Sequence, residues 1–218
     1  MKFSRPLIYL ITGGHLTPDN FSVKLSRTLQ IIESAVTSGI PLIQIREKNL
    51  PARLLFEVAA AAVNISRNSP TRILINDRAD VALAAGADGV HLTAASISAR
   101  ITRKNVPAGF LIGVSTHTIE EAVRAERDGA DFAVFGPVFA TPSKERYGPP
   151  QGIEKLAEVV KAVGRFPVVA LGGIEETNLS ETLRTGASGI AAIRLLNEIE
   201  KMPRIVEKIK GYARGNEQ

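Results

Sequence analysis

A closed (β/α)8 barrel, the TIM fold, is the α/β architecture this sequence predicts, as a single domain over residues 1–218. Three observations predict it. About eight short apolar runs alternate with segments of helical periodicity, the punctuation between them repeats, and several runs stop abruptly at polar side chains. Successive parallel strands need right-handed crossovers, and so many of them in one small domain favour closure over an open doubly wound sheet.

The first run, Leu7–Ile11, lies in a stretch that imitates the apolar core of a signal peptide. Gly13-Gly14-His15 follows without a small-residue cleavage pattern, so it reads as strand one. The second run, Leu42–Ile45, belongs to Pro41-Leu-Ile-Gln-Ile-Arg-Glu-Lys48, which places Gln44, Arg46 and Lys48 at every second position and hence on one face of a strand. Arg46 and Lys48 are also suited to structural ion pairs with Glu47 or Asp77. Helical periodicity over Leu54–Val63 leads to the third run, Arg72–Ile75, which ends in Asn76, Asp77 and Arg78. The fourth, Gly89–Leu92, contains His91, read as a satisfied barrel residue rather than a ligand. The fifth, Leu111–Val114, is followed by Ser115 and His117 and then by a helical segment over Ile119–Glu126.

After the sixth run, Phe132–Phe135, comes a long polar loop, Gly136–Pro150, of the length expected of a lid. Its Thr141, Ser143 and Lys144 offer hydrogen bonds to an anion. A helix is predicted over Ile153–Val163. The seventh run, Val168–Leu171, ends in Gly172-Gly173-Ile174, and the eighth, Gly189–Ile193, is followed by Arg194. Glycine after strand seven allows close backbone approach to a ligand, and the turn after strand eight can aim N–H groups at the same phosphate. The competing reading of Gly172-Gly173 is a tight turn alone. Ala-Gly-Ala-Asp-Gly, Asp-Gly-Ala-Asp-Phe and Thr-Gly-Ala-Ser-Gly, each after a helix, form a weak internal repeat with Gly at a C-cap. Residues 211–218 read as a mobile tail.

Composition narrows the function. Hydrophobic residues make up 44% and charged residues 22%, with no Trp, so aliphatic side chains build the core. The absence of Cys removes disulfides, thiolate metal sites and cysteine nucleophiles, and is compatible with a reducing, cytoplasmic location. No apolar stretch approaches the roughly 18 to 20 residues of a membrane span, so a soluble protein is expected. A net charge of +5 and a pI of about 9.6 suit an anionic partner. Basic residues are dispersed and not interleaved with aromatics, which argues for a small phosphorylated ligand over nucleic acid.

Taken together, Gln44-Ile-Arg-Glu-Lys48, Ile75-Asn-Asp-Arg78, Ala87-Asp-Gly-Val-His-Leu92, Ile112-Gly-Val-Ser-Thr-His117, Gly136-Pro-Val-Phe with Thr141-Pro-Ser-Lys144, and Ala170-Leu-Gly-Gly-Ile174 are in the order found in the thiamine-phosphate synthase and thiazole tautomerase superfamily. The chain resembles that superfamily over nearly its whole length. The resemblance implies an enzyme that joins 4-amino-5-hydroxymethyl-2-methylpyrimidine diphosphate to a thiazole phosphate and releases diphosphate. It implies that Gln44, Arg46, Lys48 and Asn76 contact the pyrimidine diphosphate, that Asp77 ligates Mg2+, and that Ser115 and Lys144 add contacts to the same substrate. Thr141 and Ser143 would border the thiazole phosphate, with Gly173 and the Ile193 backbone holding it. A homodimer is compatible with this reading.

Two positions depart from the synthase pattern. Thr93-Ala-Ala-Ser96 stands where the synthases carry Gly-Gln-(Asp/Glu)-Asp, so Ser96 replaces a metal-ligating carboxylate. Arg194 stands where a Ser usually helps to bind the thiazole phosphate. These departures keep open a thiazole tautomerase, which would use His117 as a proton shuttle, and a non-catalytic phosphate-binding barrel.

Overall fold

Eight parallel strands pair in sequence order around a closed ring: β1 (Leu7–Ile11), β2 (Leu42–Ile45), β3 (Arg72–Asn76), β4 (Gly89–Leu92), β5 (Leu111–Thr116), β6 (Phe132–Phe135), β7 (Val168–Leu171) and β8 (Gly189–Ala192), the last pairing with β1. The computed structural model describes residues 5–141 and 149–215. The helices are α1 (Phe21–Thr37), α2 (Ala52–Ser66), α3 (Ala79–Ala85), α4 (Ala99–Lys104), α5 (Ile119–Arg127), α6 (Gly152–Val163), α7 (Leu179–Arg184) and α8 (Met202–Gly215). Residues 211–215, expected as part of a tail, continue α8, and residues 216–218 lie outside the described residues.

The strands are apolar on both faces because each face meets a core. Leu7, Tyr9, Leu42, Leu74, Phe132 and Val169 fill the barrel interior, while their alternates, among them Ile8, Leu10, Ile43, Ile73, Ile75 and Val168, pack outward against the helices. Period-two alternation thus separates two cores rather than core from solvent. Full burial of each such aliphatic side chain contributes about 1.5–3 kcal/mol before the entropy of ordering is counted.

The internal repeat has a structural cause. Gly86, Gly129 and Gly186 each take the left-handed conformation that ends a helix turn. In the first two copies the following Asp starts the next strand: Asp88 accepts from Ile73 N (2.8 Å) and Arg72 Nη1 (2.7 Å), and Asp131 accepts from Ile112 N (2.7 Å) and Arg103 Nη2 (2.6 Å). Each carboxylate clamps its strand to the neighbouring one. Helix starts are fixed by side chains too: Thr118 Oγ1 accepts from Glu121 N (3.2 Å), and Glu121 Oε2 in turn accepts from His117 N (2.6 Å).

Candidate active site

The carboxyl ends of β2 to β5 bring Gln44, Arg46, Asn76, Asp77, His91 and Ser115 to one rim of the barrel. Register explains the interior members: Gln44 pairs with Leu74, Asn76 with His91, and His91 with Gly113, whose missing side chain leaves room for the imidazole. A Cβ at Gly113 would lie 2.8 Å from His91 Nδ1 and 2.4 Å from the Phe132 ring.

Gln44 is 1% exposed, and its Nε2 donates to Tyr9 Oη at 2.8 Å. Tyr9 Oη lies 3.3 Å from His91 Nδ1, and His91 Nε2 lies 2.9 Å from Ser115 Oγ. A continuous polar chain therefore crosses the interior from β2 to β5. Burial raises the Tyr9 phenol far above its ordinary pKa, and burial, aided by the Arg46 charge, pushes the His91 imidazole down to about 3. Both groups are neutral near pH 7. Tyr9 and Phe132 meet edge to face, with ring centroids 5.5 Å apart, and the His91 ring lies 5.8 Å from Tyr9.

β2 ends at Ile45, so the every-second-residue pattern orients Gln44 within the strand, while Arg46 and Lys48 stand beyond it. Arg46 is half-buried beside the β1–α1 loop: a Cβ on Gly14 would meet Arg46 Nη1 at 3.2 Å. Lys48 is exposed. Neither expected carboxylate partner pairs with Arg46 among the described residues. Glu47, 3% exposed, instead accepts from Thr12 Oγ1 (2.7 Å), Gly14 N (3.2 Å) and Leu16 N (2.9 Å), and Arg46 N donates to Thr12 Oγ1 (2.8 Å). Glu47 pins the β1–α1 loop against the end of β2.

Asp77 takes the left-handed conformation at φ 65°, with its N–H donating to His91 O at 2.8 Å. Its Oδ1 accepts a short hydrogen bond from Ser96 Oγ. Ser96 Oγ in turn accepts from Thr93 N (2.8 Å) and lies 3.1 Å from Thr93 Oγ1, so Thr93–Ser96 forms a small turn facing Asp77. The carboxylate and hydroxyl are hard oxygen donors of the kind Mg2+ takes, and Mg2+ commonly needs only one or two carboxylates when a phosphorylated substrate supplies the rest. The donor set fits that ion with one carboxylate, and no group of three His, Cys, Asp or Glu is gathered for a metal among the described residues.

The other side of the rim is built from the loop after β6 and the turn after β8. Gly173, at φ 64°, sits against the loop after β6: a Cβ there would lie 2.6 Å from Phe139 Cβ and 2.8 Å from Ala140 O. Val138 N and Phe139 N donate to Leu171 O and Gly172 O at 2.9 and 3.0 Å, so the glycines let this loop lie along β7. Arg194 is exposed in the 3-10 turn Arg194–Leu196, and Ile193 just before it accepts from Asn197 Nδ2 (2.6 Å), which also donates to Ile11 O (2.8 Å). Thr141 is half-buried, while Ser143 and Lys144 lie outside the described residues. His117 Nδ1 donates to Gly136 O at 2.5 Å, which leaves Nε2 with the lone pair in the neutral ring. Sequence reasoning missed Tyr9, named Glu47 only as an ion-pair partner and read His91 as a satisfied barrel residue; a Tyr inside an apolar run carries no signal beyond that of a core residue.

A parallel (β/α)8 barrel with a basic, amide-bearing and carboxylate-bearing rim belongs to the class of barrels that handle small anionic substrates at their strand ends. The model of the thiamine monophosphate synthase family matches residues 8–196, and the chain belongs to that family. It is 46% identical over 186 residues to a putative thiamine-phosphate synthase of Geobacter sulfurreducens, covering 85% of this chain and 84% of that protein. It is 35% identical over 198 residues to a thiamine-phosphate synthase of Clostridium tetani, covering 91% and 94%. Among solved structures it is similar to a thiamine phosphate pyrophosphorylase from Pyrococcus furiosus, with a TM-score of 0.77, 33% identity, and 94% and 98% of the two chains covered. No helix among the described residues is long and apolar enough to cross a membrane.

Proposed function

We propose that this chain couples 4-amino-5-hydroxymethyl-2-methylpyrimidine diphosphate to a thiazole phosphate, forming thiamine phosphate and releasing diphosphate. The observation that carries this reading is the single rim on which Gln44, Arg46, Asn76, Asp77 and Ser115 meet, in a chain whose family match extends over residues 8–196. The bond from the pyrimidine methylene to the diphosphate oxygen breaks, and its electron pair leaves with the diphosphate. Arg46, Lys48 and Lys144 neutralise the charge that accumulates there. The thiazole nitrogen then donates its pair to the methylene carbon, a step that needs positioning more than acid–base work. Gln44, Asn76 and Ser115 hold the pyrimidine, Thr141, Ser143, Gly173, Ile193 and Arg194 border the thiazole phosphate, and Asp77 with Ser96 faces the diphosphate. Asp77 and Ser96 would hold Mg2+, which supplies further charge neutralisation of the diphosphate when bound. The lack of Cys and the phosphorylated substrates agree with work in the cytoplasm.

A second reading rests on His117, whose Nε2 is left as the proton-accepting nitrogen by the bond from Nδ1 to Gly136 O. It suits a thiazole tautomerase. The deciding experiment supplies purified protein with both substrates and magnesium and measures diphosphate. Release is expected, and Asp77→Ala or Lys144→Ala should each slow it at least about tenfold, or roughly 1.4 kcal/mol in barrier. Consumption of the carboxylated thiazole isomer without diphosphate release would replace the synthase with the tautomerase.

A further inference from the structure

Tyr9 and His91 contribute the two middle groups of the interior chain, and neither belongs to the substrate-contacting set proposed above. Their hydrogen-bond direction follows from burial together with the orientation of the Gln44 amide, whose Nε2 faces Tyr9 Oη. Tyr9 is 0% exposed, so its hydroxyl hydrogen must find an acceptor inside the barrel. Gln44 Nε2 already donates to the phenolic oxygen, which leaves His91 Nδ1 as the acceptor within reach. A His91 ring that accepts at Nδ1 and is neutral carries its proton at Nε2, and that proton points to Ser115 Oγ.

The two ends of the chain are thereby polarised in opposite senses. With Nε2 committed to Tyr9, Gln44 retains Oε1, an acceptor. No described group donates to that oxygen, and no buried side-chain polar atom among the described residues lacks a partner, so Oε1 keeps contact with the mouth. Ser115, half-buried, accepts from His91 and so has its own hydrogen to give outward. A reversed chain, with the Gln44 amide turned over and the His91 proton at Nδ1, would exchange donor and acceptor at both ends.

We propose that Tyr9 and His91 are positioning residues that fix this polarity, so that the barrel mouth presents an acceptor at Gln44 and a donor at Ser115 to the aminopyrimidine. The inference rests on the synthase reading and deepens it. An aminopyrimidine carries an exocyclic N–H donor beside ring-nitrogen acceptors, whereas the corresponding hydroxypyrimidine in its oxo form reverses that pattern. The chain therefore selects the amino form by leaving the other with mismatched hydrogen bonds.

The test begins on the wild-type protein without substrate, by NMR of 15N-labelled histidine. His91 is expected as the Nε2–H tautomer, and an Nδ1–H tautomer overturns the proposal whatever the enzyme's activity. Tyr9→Phe and Ser115→Ala are then compared singly and combined in the diphosphate-release assay. Tyr9→Phe should raise KM for the pyrimidine diphosphate roughly tenfold, the scale of one lost hydrogen bond, and leave KM for the thiazole phosphate unchanged. The double variant should lose less than the product of the single losses, because both act through one chain. Independent losses, or an equal rise in both KM values, overturn the proposal. Should Tyr9→Phe fail to fold, the tautomer decides. A wild-type protein that shows the Nε2–H tautomer yet releases no diphosphate contradicts the synthase reading and leaves the polarity of the chain established.

Discussion

Ser96 Oγ donates to Asp77 Oδ1 across the ends of β3 and β4, so residue 96 offers a hydroxyl, not a second charge, to that carboxylate. The interaction offsets none of the charge a divalent ion brings. Ser96→Asp is therefore expected to lower the magnesium concentration for half-maximal diphosphate release by roughly tenfold, since affinity for hard cations follows the number of charged oxygen ligands. A magnesium titration of both proteins measures it, and an unchanged requirement would place residue 96 beyond the ion's reach.

Glu47 is buried with three donors directed at it. Glu47→Gln removes the charge and turns one acceptor oxygen into a donor facing other donors. We expect a loss of about 1–3 kcal/mol in urea unfolding. A rise in KM for the pyrimidine diphosphate should accompany it, because the Thr12 hydroxyl that Glu47 holds also receives Arg46 N.

Gly173→Ala strains a left-handed backbone and drives a methyl group into Phe139 and Ala140. Destabilisation of about 1 kcal/mol or more is expected. The loop after β6 should move off β7, so KM for the thiazole phosphate should rise more than KM for the pyrimidine diphosphate. Steady-state kinetics with each substrate varied in turn checks this.

His91 makes stability acid-sensitive. Its folded pKa of about 3 lies below the unfolded value of about 6.5. Above that upper value neither state carries the proton; between the two, only the unfolded chain takes it up. Stability should fall with falling pH across this window, by roughly 1 kcal/mol per pH unit from this group. His91→Gln should flatten the slope measured by urea unfolding between pH 7 and pH 4. Equal slopes for the two proteins would show that residue 91 protonates in the folded state near its ordinary pKa.

The strands were legible because a parallel strand buried on both faces is a short apolar run whatever surrounds it. β3 and β5 extend to Asn76 and Thr116, one and two residues past the apolar runs, since those polar residues still pair, Asn76 with His91 and Thr116 with Phe135. Gln44, Asn76, Asp77 and Ser115 were legible as polar residues interrupting strand ends. The bond between Asp77 and Ser96 was not, because it depends on the turn that Thr93 N closes on Ser96 Oγ. The donors to Glu47 were not legible: they come from a loop about thirty residues earlier, and nothing in the segment around Glu47 announces them. Tyr9 was invisible for the opposite reason, since its neighbours are all core and its one distinctive atom meets residues from other strands.

Asn197 draws Ile11 and Ile193 together just past the last strand, at the only junction in the ring where the partners come from opposite ends of the sequence. During synthesis, β1 must wait with one unpaired edge until β8 has left the ribosome. A nascent chain halted before that point presents two bare edges, the kind of surface that invites pairing with other chains. Chaperone demand should consequently peak late in translation and fall once the amide of residue 197 is free to fasten the seam.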